Sequence, residues 1–127
     1  MANSDVRIGP IGQIALTVSD VGSALAFYRD VLGLEFLFEA GPQLAFLQAG
    51  DVRIMLATPQ GAGSAGANSI LYFKVDDLDA VHETVVARGA RSERDPQLTA
   101  RMGDHELWIS FIRDPDENLI GLMEERR

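Results

Sequence analysis

The feature that most constrains this chain is that one pattern occurs in it twice. Val18-Ser19-Asp20-Val21 recurs as Val75-Asp76-Asp77-Leu78 with a shift of 57 positions, and Gly33 recurs as Gly89 with a shift of 56. In the first copy Ile14, Leu16 and Val18 alternate with small or polar residues, the period-two signature of a half-buried strand. Asp20 then supplies an N-cap, Val21, Leu25, Tyr28, Val31 and Leu32 recur at helical spacing, and Gly33 supplies the stop. Three short strands are predicted next, at Glu35–Glu39, Gln43–Gln48 and Val52–Ala57, parted by Gly41-Pro42 and Gly50-Asp51.

The stretch Pro59 to Ala67 is rich in Gly, Ala and Ser and reads as a linker; no Gly-Lys-Ser/Thr follows to make it a phosphate loop. The second copy then opens with a strand at Ile70–Val75, a cap at Asp77 and a helix through Val81, Val85 and Val86 to Gly89. It continues with a strand at Arg91–Arg94, a loop from Asp95 to Asp104, a strand at Glu106–Arg113, the turn Asp114-Pro115-Asp116-Glu117-Asn118 and a last strand at Leu119–Glu124. The prediction is an α+β protein of two tandem βαβββ modules, 11–57 and 68–124, joined by linker 58–67 and preceded by a tail, 1–10. A chain of 127 residues with 46% apolar side chains suits one compact domain.

Three segments carry a resemblance: Val18-Ser19-Asp20, the helix end Phe27-Tyr28-Arg29-Asp30-Val31-Leu32-Gly33-Leu34, and the Asp114 to Asn118 turn. With the duplication, they make the chain resemble the vicinal-oxygen-chelate superfamily of glyoxalases, bleomycin-resistance proteins and dioxygenases. That resemblance implies curved mixed sheets wrapped around a cavity, helices outside, and a small-molecule ligand. The family's turn usually reads DPDGN; here Glu117 stands where glycine is common, and Asn118 is expected to take up the left-handed conformation.

In metal-dependent members four ligands come from the first and last strands of the two modules. The matching positions here are Gln13, Met55, Ile70 and Gly121. None is a carboxylate or an imidazole, so the resemblance implies a member with no metal, and no cofactor is expected. His105 and Glu106 do not replace the site, because adjacent strand residues point to opposite faces.

If Gln13 faces the cavity, alternation brings Ala15 and Thr17 with it and, from the other strands, Ile70, Tyr72, Lys74, Arg53, Met55, Ala57, Leu119, Gly121 and Met123. This surface is mostly apolar with a few polar points, as a small-molecule pocket requires. The candidate ligand-binding residues are Gln13, Met55, Tyr72, His105 and Trp108. Trp108, the single tryptophan, suits either core packing or a wall for a planar ligand sharing one face with Tyr72 and Met55. His105 is the candidate catalytic acid or base. His82, beside Glu83 and Asp79, reads as a solvated helix residue, and Arg101 as a loop cation able to close over an anionic ligand.

Two functions fit. One is metal-free binding of a planar or amphipathic small molecule; the other is a glyoxalase-like lyase or isomerase acting on a small carbonyl compound. A purely structural module would need the cavity to be filled. No G-x-S-x-G supports a serine nucleophile. A net charge of -8 repels phosphate backbones and anionic lipid, so neither nucleic acid nor membrane is an expected partner. No signal-like segment opens the chain, and it contains no cysteine, which fits a cytoplasmic protein. Uncovered sheet faces and edges make a homodimer the expected assembly.

Overall fold

A computed structural model describes residues 6–59, 64–66 and 68–127; most of the predicted glycine-rich linker core and the first half of the tail lie outside the described residues. The first module contains β1 (Gln13–Thr17), α1 (Val21–Leu25), β2 (Glu35–Glu39), β3 (Leu44–Ala49) and β4 (Val52–Ala57). The second contains β5 (Leu71–Lys74), α2 (Leu78–Ala87), β6 (Arg91–Arg101), β7 (Glu106–Arg113) and β8 (Leu119–Arg126). The sheets have the orders β1-β4-β3-β2 and β5-β8-β7-β6. In each, the first strand runs parallel to the last and the remaining pairs are antiparallel. The tandem βαβββ plan is therefore observed.

Local chemistry sets the element ends. The extended Asp20 accepts a hydrogen bond from the Ser23 amide at 2.8 Å, and Asp77 does the same for Ala80 at 3.2 Å. The first helix passes into a π-helical turn (Ala26–Val31), where Phe27 and Tyr28, consecutive in sequence, are both buried with their rings edge to face at 5.1 Å. Gly33 and Gly89 end the two helices with φ of 81° and 113°.

One core lies on the helix-facing sides of both sheets. Leu16, Val18, Leu47, Ile54 and Leu56 of the first sheet and Ile112, Ile120 and Leu122 of the second belong to the same apolar cluster as Leu25, Tyr28, Leu78 and Val85. The opposite sheet faces stay open. There Phe38 and Tyr72 are each 47% exposed. Among the described residues, no helix is long and apolar enough to cross a membrane.

Polar groups join the modules mainly around one turn, besides a hydrogen bond that Arg88 Nη1 donates to the Val31 carbonyl at 3.2 Å. Asp114 Oδ2 accepts from the Tyr28 hydroxyl at 2.7 Å and from Asn118 Nδ2 at 2.8 Å, while its Oδ1 accepts from the Asp116 and Asn118 amides. Asp116 accepts from the amide and hydroxyl of Ser19. Asn68 exchanges two 3.0 Å hydrogen bonds with the backbone of Thr17 and donates to Asn118 Oδ1. The turn that carried the resemblance is thus a clasp between modules.

Several expectations are corrected. Of the predicted loop Asp95–Asp104 only 102–104 lies outside a strand: β6 runs on to Arg101, and register shifts after Ser92, Arg94 and Leu98 break the alternation that would have revealed it. Arg101 is accordingly a strand residue, 3.6 Å from Glu106. Glu117 itself takes the left-handed conformation, φ 70°, while Asn118 is buried and bonded to Asp114. His82 is 5% exposed rather than solvated, and its ring nitrogens lie 2.8 Å from Ser110 Oγ and 2.9 Å from Ser92 Oγ.

Candidate functional site

The open face of the first sheet is built from β1 and β4, which pair in parallel with Gln13 beside Arg53 and Ala15 beside Met55. Gln13 Oε1 accepts from Arg53 Nε at 2.6 Å, and Gln13 Nε2 lies 3.8 Å from Met55 Sδ. The Arg53 guanidinium stands 5.4 Å from the centre of the Phe46 ring, which stacks on Phe38 at 4.6 Å. Gln13 and Met55 are therefore brought together, and their polar groups are engaged with each other and with Arg53.

On the second sheet Tyr72 pairs with Gly121. The tyrosine ring lies so close over this glycine that a Cβ on residue 121 would collide with it, so only glycine fits beneath the ring. Phe111 meets Tyr72 edge-on at 5.9 Å, and the Arg94 guanidinium lies 4.9 Å from the centre of the Phe111 ring. These three side chains form a partly exposed aromatic and cationic platform.

His105 precedes β7, with its Nδ1 2.7 Å from Asp104 Oδ1 and its Nε2 4.0 Å from Glu125 Oε1. Glu125 in turn lies 3.4 Å from Lys74 Nζ, two residues along β5 from Tyr72. Hydrogen bonds from His105 and from Arg127 hold the Asp104 carboxyl below the usual carboxylate range.

Trp108 does not share this face. It pairs with Glu124 and has the parity of Ser110 and Ile112, so its indole packs on the helix-facing core. Its Nε1 donates to Glu106 Oε1 at 3.0 Å, and the Arg126 guanidinium sits 4.1 Å from the ring centre. Phe111 occupies the place expected for it. The signal was present: counting back from the Asp114–Asn118 turn, Arg113 opposes Leu119, which sets Phe111 opposite Gly121. Arg94 gave no such signal, because bulges flank it.

The five candidate residues do not line one cavity of the single chain. A cleft of about 430 Å³ does open between the modules, but of the five only Tyr72 borders it. Its walls are helix-side residues such as Ile14, Ile54, Leu71 and Phe73. The four positions that the resemblance marks for metal ligands offer an amide, a thioether and two residues with no donor side chain, a set that does not fit a divalent ion. Among the described residues, no three His, Cys, Asp or Glu side chains converge elsewhere.

Comparison with known proteins agrees with this architecture. An uncharacterized protein of Bacillus subtilis, YraH, is 29% identical over 124 residues, covering 85% of this chain and 92% of its own. Mouse mitochondrial methylmalonyl-CoA epimerase is 27% identical over 125 residues, covering 87% of this chain and 68% of its own. Among solved structures, TnmS3, an antibiotic binding protein from Streptomyces sp. CB03234, superposes with a TM-score of 0.80 at 22% identity, covering 94% of this chain and 98% of its own. The model of one family matches residues 10–122, and the chain belongs to it: the glyoxalase/bleomycin resistance protein/dioxygenase superfamily.

Proposed function

We propose that this protein binds a small planar or amphipathic molecule on the open face around Tyr72, without a catalytic metal, in a cavity closed by a second copy of the chain. The observation that carries this reading is Tyr72 seated on Gly121. Where metal-dependent relatives place a ligand on the last strand, this chain has removed the side chain and laid an aromatic ring over the gap. A ring 47% exposed, flanked by Phe111 and Arg94, offers stacking area and a cation to a planar ligand. Gln13 supplies a polar point on the other sheet. TnmS3, which shares the fold, is by its name an antibiotic binding protein.

The test is calorimetric titration of planar aromatic compounds against the untagged protein, with elemental analysis of the same sample. Binding should weaken at least several-fold in Tyr72→Ala, since stacking contributes roughly 0.5 to 1.5 kcal/mol beyond area burial. Metal content should stay well below one equivalent of Zn, Ni, Mn or Fe per chain. Stoichiometric metal retained after dialysis, or binding indifferent to Tyr72→Ala, would overturn the reading.

The His105–Asp104 pair favours a second reading, a lyase or isomerase acting on a small carbonyl compound, and the similar mouse protein is an epimerase. Here His105 would move the proton. Turnover lost in His105→Gln with ligand binding retained would establish it; turnover unchanged in that variant would remove His105 from the chemistry.

A further inference from the structure

We infer that the molecule bound on the open face of the second sheet is an anion, an aromatic carboxylate whose ring system lies over Tyr72 and Phe111 and whose carboxylate is held by Arg94. The inference rests on the reading of that face as a ligand site and adds the chemical class of the ligand. Three observations carry it: the unsatisfied donors of the face, their order across the strands, and the charge of the rest of the chain.

The donors come first. Among the described residues, every cation of the second module except Arg88 and Arg94 stands beside a carboxylate. Arg88 donates instead to the Val31 carbonyl. Within the same set Arg94 meets only the Phe111 ring, 4.9 Å away, and contact with a π face supplies no acceptor for its N–H groups. The Tyr72 hydroxyl likewise makes no hydrogen bond among the described residues. Glu125, which shares the parity of Gly121 on β8, is engaged by Lys74 at 3.4 Å and by Arg127 at 3.6 Å. An exposed arginine can always be hydrated, so a lone one decides nothing by itself; its place does.

Across the paired strands the face presents Tyr72 on β5, Gly121 on β8, Phe111 on β7 and Arg94 on β6 in one row. Neighbouring strands lie about 4.8 Å apart, so the row runs for roughly 14 Å. Its first three places make a floor of two rings with no side chain between them, because the tyrosine ring lies over Gly121, 5.9 Å from Phe111. The cation stands at the end of that floor. A bicyclic aromatic acid laid along the row meets the rings with its apolar part and the guanidinium with its carboxylate, the charge-assisted, bidentate contact that arginine is shaped for. A neutral planar compound would leave the guanidinium without a partner, and a cationic one would be repelled by it.

The rest of the chain makes this cation informative. With 19 acidic against 11 basic residues, a net charge of -8 repels anions at a distance, so a row whose one charge without a carboxylate partner is positive is not a by-product of composition. The other open face repeats the arrangement. Arg53 lies over the Phe46 ring at 5.4 Å, gives its Nε to Gln13, and forms no ion pair among the described residues. On the side away from the core, each module therefore sets a guanidinium on an aromatic ring and leaves its charge uncompensated.

The probes are 2-naphthoate and 2-naphthamide, which share their ring system and size and differ in charge, titrated calorimetrically against the full chain. Naphthoate should bind about tenfold more tightly or better, since only the acid gains the charge-assisted contact. Arg94 is exposed, so Arg94→Met folds, and it should bring the two affinities together. Arg88→Met removes the same charge on the helix side and should leave the preference for the acid in place. An amide that binds as tightly as the acid, a preference that survives Arg94→Met, or one that falls equally in Arg88→Met would overturn the anionic ligand. The reading of the face as a ligand site then stands or falls separately, on whether Tyr72→Ala weakens binding of the amide. Failure of both compounds to bind at millimolar concentration would overturn the two together.

Discussion

Each helix buries one polar ring, and the two are used differently. In module one the Tyr28 hydroxyl reaches out of its own module to Asp114, in the turn before β8. In module two His82 turns inward and joins Ser110 of β7 to Ser92 of β6. The reason lies in the strands that each helix covers. The edge strand β6 has three register shifts over eleven residues, so its ladder is interrupted and a side-chain anchor compensates. The edge strand β2 has five residues and one shift, and the buried ring of its module is turned to the clasp instead. Two copies of one plan have thus divided the work: one holds the modules together and the other holds its own margin.

That division can be broken at its strongest point first. Asp114→Ala would leave the Tyr28 hydroxyl, the Asn118 amide groups and the Asp116 amide without their acceptor, and should cost about 3 kcal/mol or more in chemical denaturation, since each unpaired buried group costs about 1 to 3 kcal/mol. Tyr28→Phe removes one bond to a buried carboxylate and should cost about 1.5 to 3 kcal/mol. His82→Leu should cost about 1 to 2 kcal/mol, and hydrogen exchange should quicken in β6 while the clasp amides stay protected. Equal protection loss in both places would mean the two rings are not independent.

Alkaline pH sharpens the same contrast with a smaller effect. Burial, and then the charge of Asp114, pushes the Tyr28 phenol well above its ordinary range. The folded state therefore holds this proton more tightly than the unfolded state. The stabilisation is fully present below the unfolded value of about 10 and is lost as pH rises above it. Stability of the natural chain should fall more steeply above pH 10 than that of Tyr28→Phe; parallel curves would show that the phenol does not titrate with unfolding. The smallest expected change is in ligand affinity with Trp108→Phe. An indole on the helix side should matter less than twofold, against the several-fold loss for Tyr72→Ala by the same titration.

Much of this was legible in the sequence for a physical reason. Where a strand is regular, period two is a reliable guide to its faces. Ile14 and Leu16 do lie toward the helices, and Gln13 and Tyr72 away from them. Reading failed where backbone irregularity interrupts the period, as in β6, and where a partner distant in sequence decides a residue's surroundings. His82 was read from its helix neighbours Asp79 and Glu83, whereas its partners are 10 and 28 residues away. Trp108 reads from its strand alone as either core or ligand wall, and the turn beside it, which fixes the register, decides for the core. The clasp was visible only as a motif, because the roles of Asn68 and Tyr28 in it depend on how the modules meet.

The close seat of Tyr72 on Gly121 also restricts the routes by which this protein can change. A carboxylate at position 121 is barred while the ring lies above it, so Gly121→Glu alone would be strained at the Cβ before any ion could be held. With Tyr72 first reduced to alanine, the three ring atoms that the Cβ would meet first are gone. The order of the two mutational steps therefore matters: a side chain at position 121 is gained more easily once the ring above it has been removed or has turned aside.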